Sequence, residues 1–270
     1  MLTSIKLFAL AIVAMVLAPL PVTAGMEWIT LSVSTGGSVK ALLGIPDGTV
    51  KAPGVVYSHG TAVRRLGYEA AKAQGYDIAD YVKALNKAGY VAVAPVRREG
   101  VLANPFNRKK GAVHDESTPS IQAGIKQGIA SLQSAVAFLK RHPTATGKVG
   151  AIGFSEGGLV TTWSAIKGLA VDAIVLISPA TIRSARRLNM NKAAGSNDIV
   201  NIRAPVLITL GMDDKASILK GIKQRLIPAL KAGGVTLESK SAYPGDHSWF
   251  WRVREEHFPD VVSFLDKNLE

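Results

Sequence analysis

Between residues 53 and 210, short apolar runs alternate with stretches of helical period, and this alternation leaves few architectures open to the chain. The runs are Pro53 to Ser58, Tyr90 to Pro95, Val149 to Phe154, Ala173 to Ser178 and Pro205 to Leu210, each of strand length. Being apolar nearly throughout, they suit strands covered on both faces. Ile78, Val82 and Leu85 recur at helical spacing as far as Gly89. Ile121, Ile125, Ile129, Leu132, Val136 and Leu139 keep to one face until Pro143 ends the pattern. Further helical patterns lie at Leu159 to Ile166 and Ile218 to Leu230. The fold class read from this order is α/β, a mostly parallel, doubly wound sheet with helices on both faces. Before it, Trp28 to Val33 and Val39 to Ile45 flank Gly36-Gly37 as an antiparallel pair would. After it come a last strand at Val235 to Ser241 and an amphipathic helix marked by Val261, Phe264, Leu265 and Leu269.

The N-terminus has a different character. Lys6 precedes the apolar run Leu7 to Ala18, and Val22-Thr23-Ala24 offers small residues before Gly25, the pattern of a cleaved export signal over residues 1–24. The run of 12 residues is short of the roughly 20 that span a bilayer; the reading weighed against cleavage is a retained anchor. Residues 25–270 are then expected to form a single domain, secreted or periplasmic, with no membrane span in the mature chain. No internal repeat or Pro/Ser-rich linker divides it, and the connections at 96–119 and 179–204 have the length of functional loops. There is no cysteine, hence no disulfide, thiolate nucleophile or cysteine metal site. Without Lys6, 31 of the 32 Lys and Arg remain against 20 Asp and Glu. That excess attracts anions, but it is dispersed and no nucleic-acid motif accompanies it, so nucleic acid is not expected as a partner.

Gly153-Phe154-Ser155-Glu156-Gly157 fits G-x-S-x-G, with an apolar strand before it and a helical pattern after it. Such a turn lifts a serine oxygen clear of the sheet. A serine nucleophile needs a base and the base an orienting acid, in the chain order serine, acid, histidine. Of His59, His114, His142, His247 and His257, only the last two follow Ser155 with an acid between. His247 lies in the turn-rich Tyr243-Pro244-Gly245-Asp246-His247-Ser248, whereas His257 sits in a charged stretch read as a solvated helix; His247 is the candidate base. The acid belongs to Gly211-Met212-Asp213-Asp214-Lys215, where two adjacent carboxylates compete and one alone is expected to reach His247. After the strand at 53–58, His59-Gly60-Thr61-Ala62 places the backbone N–H groups of Thr61 or Ala62, together with that of Glu156, where an oxyanion would need donors. Their side chains are expected to matter little, and His59 is read as a structural histidine.

These four segments, His59-Gly60, Gly153 to Gly158, Gly211 to Asp214 and Gly245-Asp246-His247, resemble the dienelactone hydrolase-like branch of the α/β-hydrolases in type and order. The resemblance runs from about Trp28 to the C-terminus. It implies an eight-stranded sheet, a cofactor-free acyl-enzyme mechanism, and Asp214 rather than Asp213 as the acid; the histidines are scattered with no H-E-x-x-H-like pair, so no metal is expected. The family's namesake enzymes use cysteine where this chain has Ser155, so the activity implied is that of a serine esterase acting on a small-molecule ester-like substrate. Amide cleavage by an exopeptidase-like enzyme, or a silent binding protein on the same scaffold, are the competing functions. The substrate is expected to be anionic if Arg97, Arg98, Arg108, Lys109, Lys110, Arg183, Arg186 and Arg187 face the cleft, against Glu99, Asp115, Glu116 and Asp198. The oligomeric state is not encoded in any feature recognised.

Overall fold

The computed structural model describes residues 25–48, 51–97, 118–180 and 199–270. β1 (Gly25–Ser32) and β2 (Ser38–Ile45) pair antiparallel through the Gly36-Gly37 turn, and β2 pairs antiparallel with β4 (Val91–Pro95). From there every neighbour is parallel: β4 beside β3 (Ala52–Ser58), then β5 (Ala145–Phe154), β6 (Ala173–Ile177), β7 (Val206–Gly211) and β8 (Leu237–Tyr243). The result is one eight-stranded sheet in the order β1-β2-β4-β3-β5-β6-β7-β8. β4, β6 and β7 are buried along their whole length, because both faces are covered. In β6 the two-residue period divides Ile174 and Leu176 from Ala173, Val175 and Ile177, which enter separate cores on opposite faces.

One core receives Ile125, Ile129, Leu132, Val136 and Leu139 from α4 (Thr118–Arg141) and also Leu159, Val160 and Trp163 from α5 (Glu156–Ile166), whose eleven residues are all buried. The other core receives Ile78, Val82 and Leu85 from α3 (Ile78–Lys87) and the Val261, Phe264, Leu265 and Leu269 stripe of the last helix (Phe258–Leu269). α3 starts where the Asp77 carboxylate accepts the Ala79 N–H at 2.9 Å, and it stops before Gly89 at φ 91°.

Several elements differ from the sequence reading. α1 (Thr61–Leu66) and α2 (Tyr68–Ala73) are six residues each, too short to show an apolar stripe. The helix expected at 218–230 is divided into Ala216–Gly221, a π turn over Ile222–Leu226 and Ile227–Ala232. Pro228, which has no N–H to donate back into the preceding turn, lies just beyond the widened segment. The last strand sits two residues later than expected. The export signal expected at 1–24, and all but the ends of the two long connections, lie outside the described residues. No described helix is long and apolar enough to cross a membrane.

His257 corrects the expectation of a solvated helix. It caps the last helix at 1% exposure, with Nε2 3.0 Å from Thr209 Oγ1 and its ring against Tyr243, Trp249 and Phe250. Its exposed neighbours Glu255 and Glu256 made the segment look solvated. Burial pushes the His257 pKa down to about 4. In the unfolded chain the imidazole titrates near the ordinary ~6.5, so between these values the unfolded state binds more protons. The stability associated with a neutral His257 is complete above pH 6.5 and is lost as pH falls towards 4, by roughly 3 kcal/mol. Thermal melts should therefore show Tm falling from pH 7 to 4.5, with a shallower fall in His257→Gln. An identical acid slope in that variant would remove His257 from the explanation.

Candidate active site

β5 delivers the chain into Ser155 at φ 53° and ψ −118°, a region disfavoured for a residue with a side chain, and α5 begins immediately after. The turn is held on both sides. Ser155 N–H donates to the Ile177 carbonyl at 3.0 Å, and the Ser155 carbonyl accepts the Ala180 N–H at 2.8 Å. Gly157 has to be glycine, since a Cβ there would lie 1.8 Å from the Ser58 carbonyl oxygen. That close approach brings the end of β3 alongside the start of α5.

His247 opens a 3₁₀ turn (His247–Trp251) after β8, fixed by the Asp246 carboxylate, which accepts the Ser248 and Trp249 N–H groups. Asp214 comes from the loop after β7. The two loops meet because position 211 lacks a side chain: a Cβ on Gly211 would stand 2.4 Å from the Gly245 carbonyl oxygen. Across this junction His247 Nδ1 lies 3.0 and 3.2 Å from the Asp214 oxygens, and Nε2 lies 2.8 Å from Ser155 Oγ. A carboxylate only accepts, so Nδ1 carries the proton and Nε2 is left to accept the serine hydroxyl proton. Asp214 is buried and is also hydrogen-bonded by the Lys215 N–H at 2.6 Å and by the Ser178 hydroxyl. Asp213 is exposed and ties its N–H to the Gly245 carbonyl instead.

Thr61 and Ala62 at the start of α1 line a cleft of about 440 Å³ with Ser155 and His247, and its remaining wall includes Tyr76, Trp251, Arg65 and Lys215. Amides in the first turn of a helix have no partner within it, and this applies to Thr61, Ala62 and Glu156 alike. The structure thus places Ser155, Asp214, His247, Thr61, Ala62 and Glu156 together. His59 is fully buried behind them. Its Nε2 accepts the Arg97 N–H at 2.9 Å, so Nδ1 is protonated and donates to the Gly60 carbonyl at 2.9 Å. Burial and the Arg97 charge hold its pKa well below the ordinary value, so it stays neutral.

Two expectations fail at this point. Arg97, expected among the charges at the cleft mouth, is 1% exposed and donates to Glu156 at 3.1 Å. The Glu156 side chain, expected to matter little, is buried and accepts from Arg64, Arg97 and Thr61. Charge embedded in apolar surroundings was the available signal, since Arg97 ends Val-Ala-Val-Ala-Pro-Val and Glu156 begins a wholly buried helix. Arg98, Arg108, Lys109, Lys110, Arg183, Arg186 and Arg187 lie outside the described residues, as do Glu99, Asp115, Glu116 and Asp198.

A model of the dienelactone hydrolase family matches residues 39–263. Among solved structures, a putative dienelactone hydrolase from Klebsiella pneumoniae is similar at 18% identity and TM-score 0.62, over 90% of this chain and 99% of that one. An esterase from Pyrococcus furiosus is similar at 19% identity and TM-score 0.62, over 92% and 94%. An acetyl xylan esterase from a Paenibacillus species is similar at 15% identity and TM-score 0.64, over 90% and 84%. A search of the curated proteins finds no relative.

Proposed function

The chain belongs to the dienelactone hydrolase family, and from that premise we propose that it is an esterase whose Ser155, His247 and Asp214 cleave a carboxylic ester through an acyl-enzyme. The observation that carries this reading is the continuous hydrogen-bonded line from Asp214 through His247 to Ser155 Oγ, at 3.0 and 2.8 Å. Ser155 Oγ attacks the carbonyl carbon while its proton passes to His247 Nε2. The carbonyl oxygen, now anionic, is met by the N–H of Thr61 or Ala62 and that of Glu156. His247 then protonates the departing alcohol as the C–O bond breaks. In the second half His247 takes a proton from water as the hydroxide adds to the acyl carbon; the C–Oγ bond then breaks, the carboxylic acid leaves, and the proton returns from His247 to Ser155 Oγ. Asp214 keeps the Nδ1 proton in place and stabilises the imidazolium formed in each half.

The cleft supports a preference for anionic esters. Among its described lining residues Arg65 and Lys215 are cationic and none is acidic. This moves the expected steering from the buried Arg97 to the mouth itself. A panel of neutral esters, carboxylate-bearing esters, a lactone, a thioester and an aminoacyl amide tests both statements. The expected result is ester turnover well above amide turnover, with kcat/KM highest for carboxylate esters and falling with added salt. Amide turnover exceeding that of every ester would assign a peptidase-like function instead; no turnover and no labelling by a fluorophosphonate would leave a binding protein. An anionic preference untouched by salt and by Lys215→Ala would sink the steering.

We further propose that residues 1–24 direct export and are removed, leaving a single mature domain outside the cytoplasm, in keeping with Lys6, the apolar run and Val22-Thr23-Ala24. N-terminal sequencing of the mature protein should begin at Gly25; an intact Met1 on cytosolic protein would refute it.

A further inference from the structure

The Glu156 carboxylate accepts four side-chain hydrogen bonds, yet the proposed reaction draws only on its backbone N–H. Its Oε1 accepts from Arg64 Nε at 2.6 Å and Arg97 Nη1 at 3.1 Å; its Oε2 accepts from Arg64 Nη2 at 2.7 Å and Thr61 Oγ1 at 3.1 Å. Thr61 and Arg64 are three residues apart and share one face of α1, so this single carboxylate grips the helix whose first amides line the cleft. The loop leading into that helix is held from its other side. Arg97 binds the His59 ring with its N–H and the His59 carbonyl with its guanidinium, and Tyr76 Oη accepts the Gly60 N–H at 2.8 Å. A Cβ added to Gly60 would come within 3.3 Å of Ser155 Cβ, so a small displacement of this loop is felt at the nucleophile.

Stability is a poor explanation for such a cluster. Three ionised groups, all under 10% exposed, have been taken out of water, and apolar side chains of similar volume commonly do as well or better. Charge is a poor explanation too, because a carboxylate on the residue after the nucleophile opposes an oxyanion. Its two guanidinium partners offset this and hold its pKa down to about 2 despite burial, so it remains ionised and gripping at any pH where the enzyme would work.

We propose that Glu156 is a positioning residue that sets the spacing of the two arms of the oxyanion site, its own N–H forming one arm and its side chain fixing the other through Thr61 and Arg64. The inference rests on the Ser155 reading. It is tested with wild type, Glu156→Gln, Thr61→Val and Thr61→Ser, measuring kcat, KM and Tm for a neutral ester together with the affinity of phenylboronic acid. The boronate reports the oxyanion site directly. Ser155 Oγ bonds to boron, its proton goes to His247, and the resulting tetrahedral anion presents an oxygen to the same N–H groups.

Glu156→Gln should lower kcat by about 100-fold with KM little changed, and boronate affinity should fall in parallel. If geometry were irrelevant, removal of the negative charge would leave both unchanged or improved. Thr61→Val, which deletes one hydrogen bond of the grip, should cost about tenfold in kcat and in boronate affinity at nearly unchanged Tm. Thr61→Ser should restore both. Should Glu156→Gln fail to fold, the Thr61 pair decides alone. Folded variants that keep wild-type kcat and boronate affinity, or lose kcat without losing boronate affinity, overturn the proposal. Wild-type protein that neither binds boronate nor turns over an ester overturns the Ser155 reading, and this inference with it.

Discussion

Ser155→Ala is expected to lower kcat by about 10⁵- to 10⁶-fold, the scale seen when a serine nucleophile that acts as one unit with its base is removed. The loss should be confined to chemistry. Alanine carries the same Cβ as serine, so it inherits the same φ of 53° without new strain, and the Ile177 and Ala180 backbone bonds that hold the turn do not involve the side chain. Only the 2.8 Å bond from Oγ to His247 disappears. Tm should therefore stay close to wild type, and the residual rate should come from the oxyanion donors and substrate binding alone. Steady-state kinetics and a melt on the same preparation check both halves of this expectation. A variant with near-normal turnover would move the nucleophile elsewhere.

The second large effect separates two adjacent carboxylates. Asp214→Asn should cost about 10⁴-fold in kcat, while Asp213→Asn should stay within about twofold. The Asp214 oxygens accept from His247 Nδ1, from the Lys215 N–H and from the Ser178 hydroxyl. An asparagine has one acceptor oxygen, and its NH₂ has to face one of those groups. Turned towards Nδ1, it favours the tautomer that leaves a proton on Nε2, facing the serine from which Nε2 has to take one. Asp213 is exposed and contacts neither ring nitrogen, so its substitution removes surface charge only. Kinetics on the two variants with one neutral ester give the comparison; equal losses, or a larger loss for Asp213, would reassign the acid.

The contrast also shows where sequence reasoning stopped. Apolar runs such as Ala173 to Ser178 and Pro205 to Leu210 are read directly as strands because burial on both faces leaves few polar positions in them. Ser155 and His247 are legible because a sharp strand-to-helix turn and a glycine-rich loop are local patterns. The choice between Asp213 and Asp214 is not local. It depends on the Gly211 loop meeting the Gly245 loop, and spacing within one segment does not report which neighbour turns inwards. The grip of Glu156 joins Arg64, 92 residues away, with Arg97, 59 residues away, and charged side chains in sequence look alike whether solvated or paired in a core. His257 escaped for the related reason that two exposed glutamates precede it.

The central claim is that an acyl group is carried on Ser155 Oγ between two half-reactions. Rapid acid quenching of the enzyme during turnover of an activated ester, followed by peptide mass spectrometry, tests it most directly. The expected result is one acyl mass increment on the peptide containing Ser155, formed and lost at rates that account for kcat and absent from Ser155→Ala. An increment on another residue, or rapid turnover with no increment in a burst-phase experiment and none trapped in His247→Ala, would contradict it.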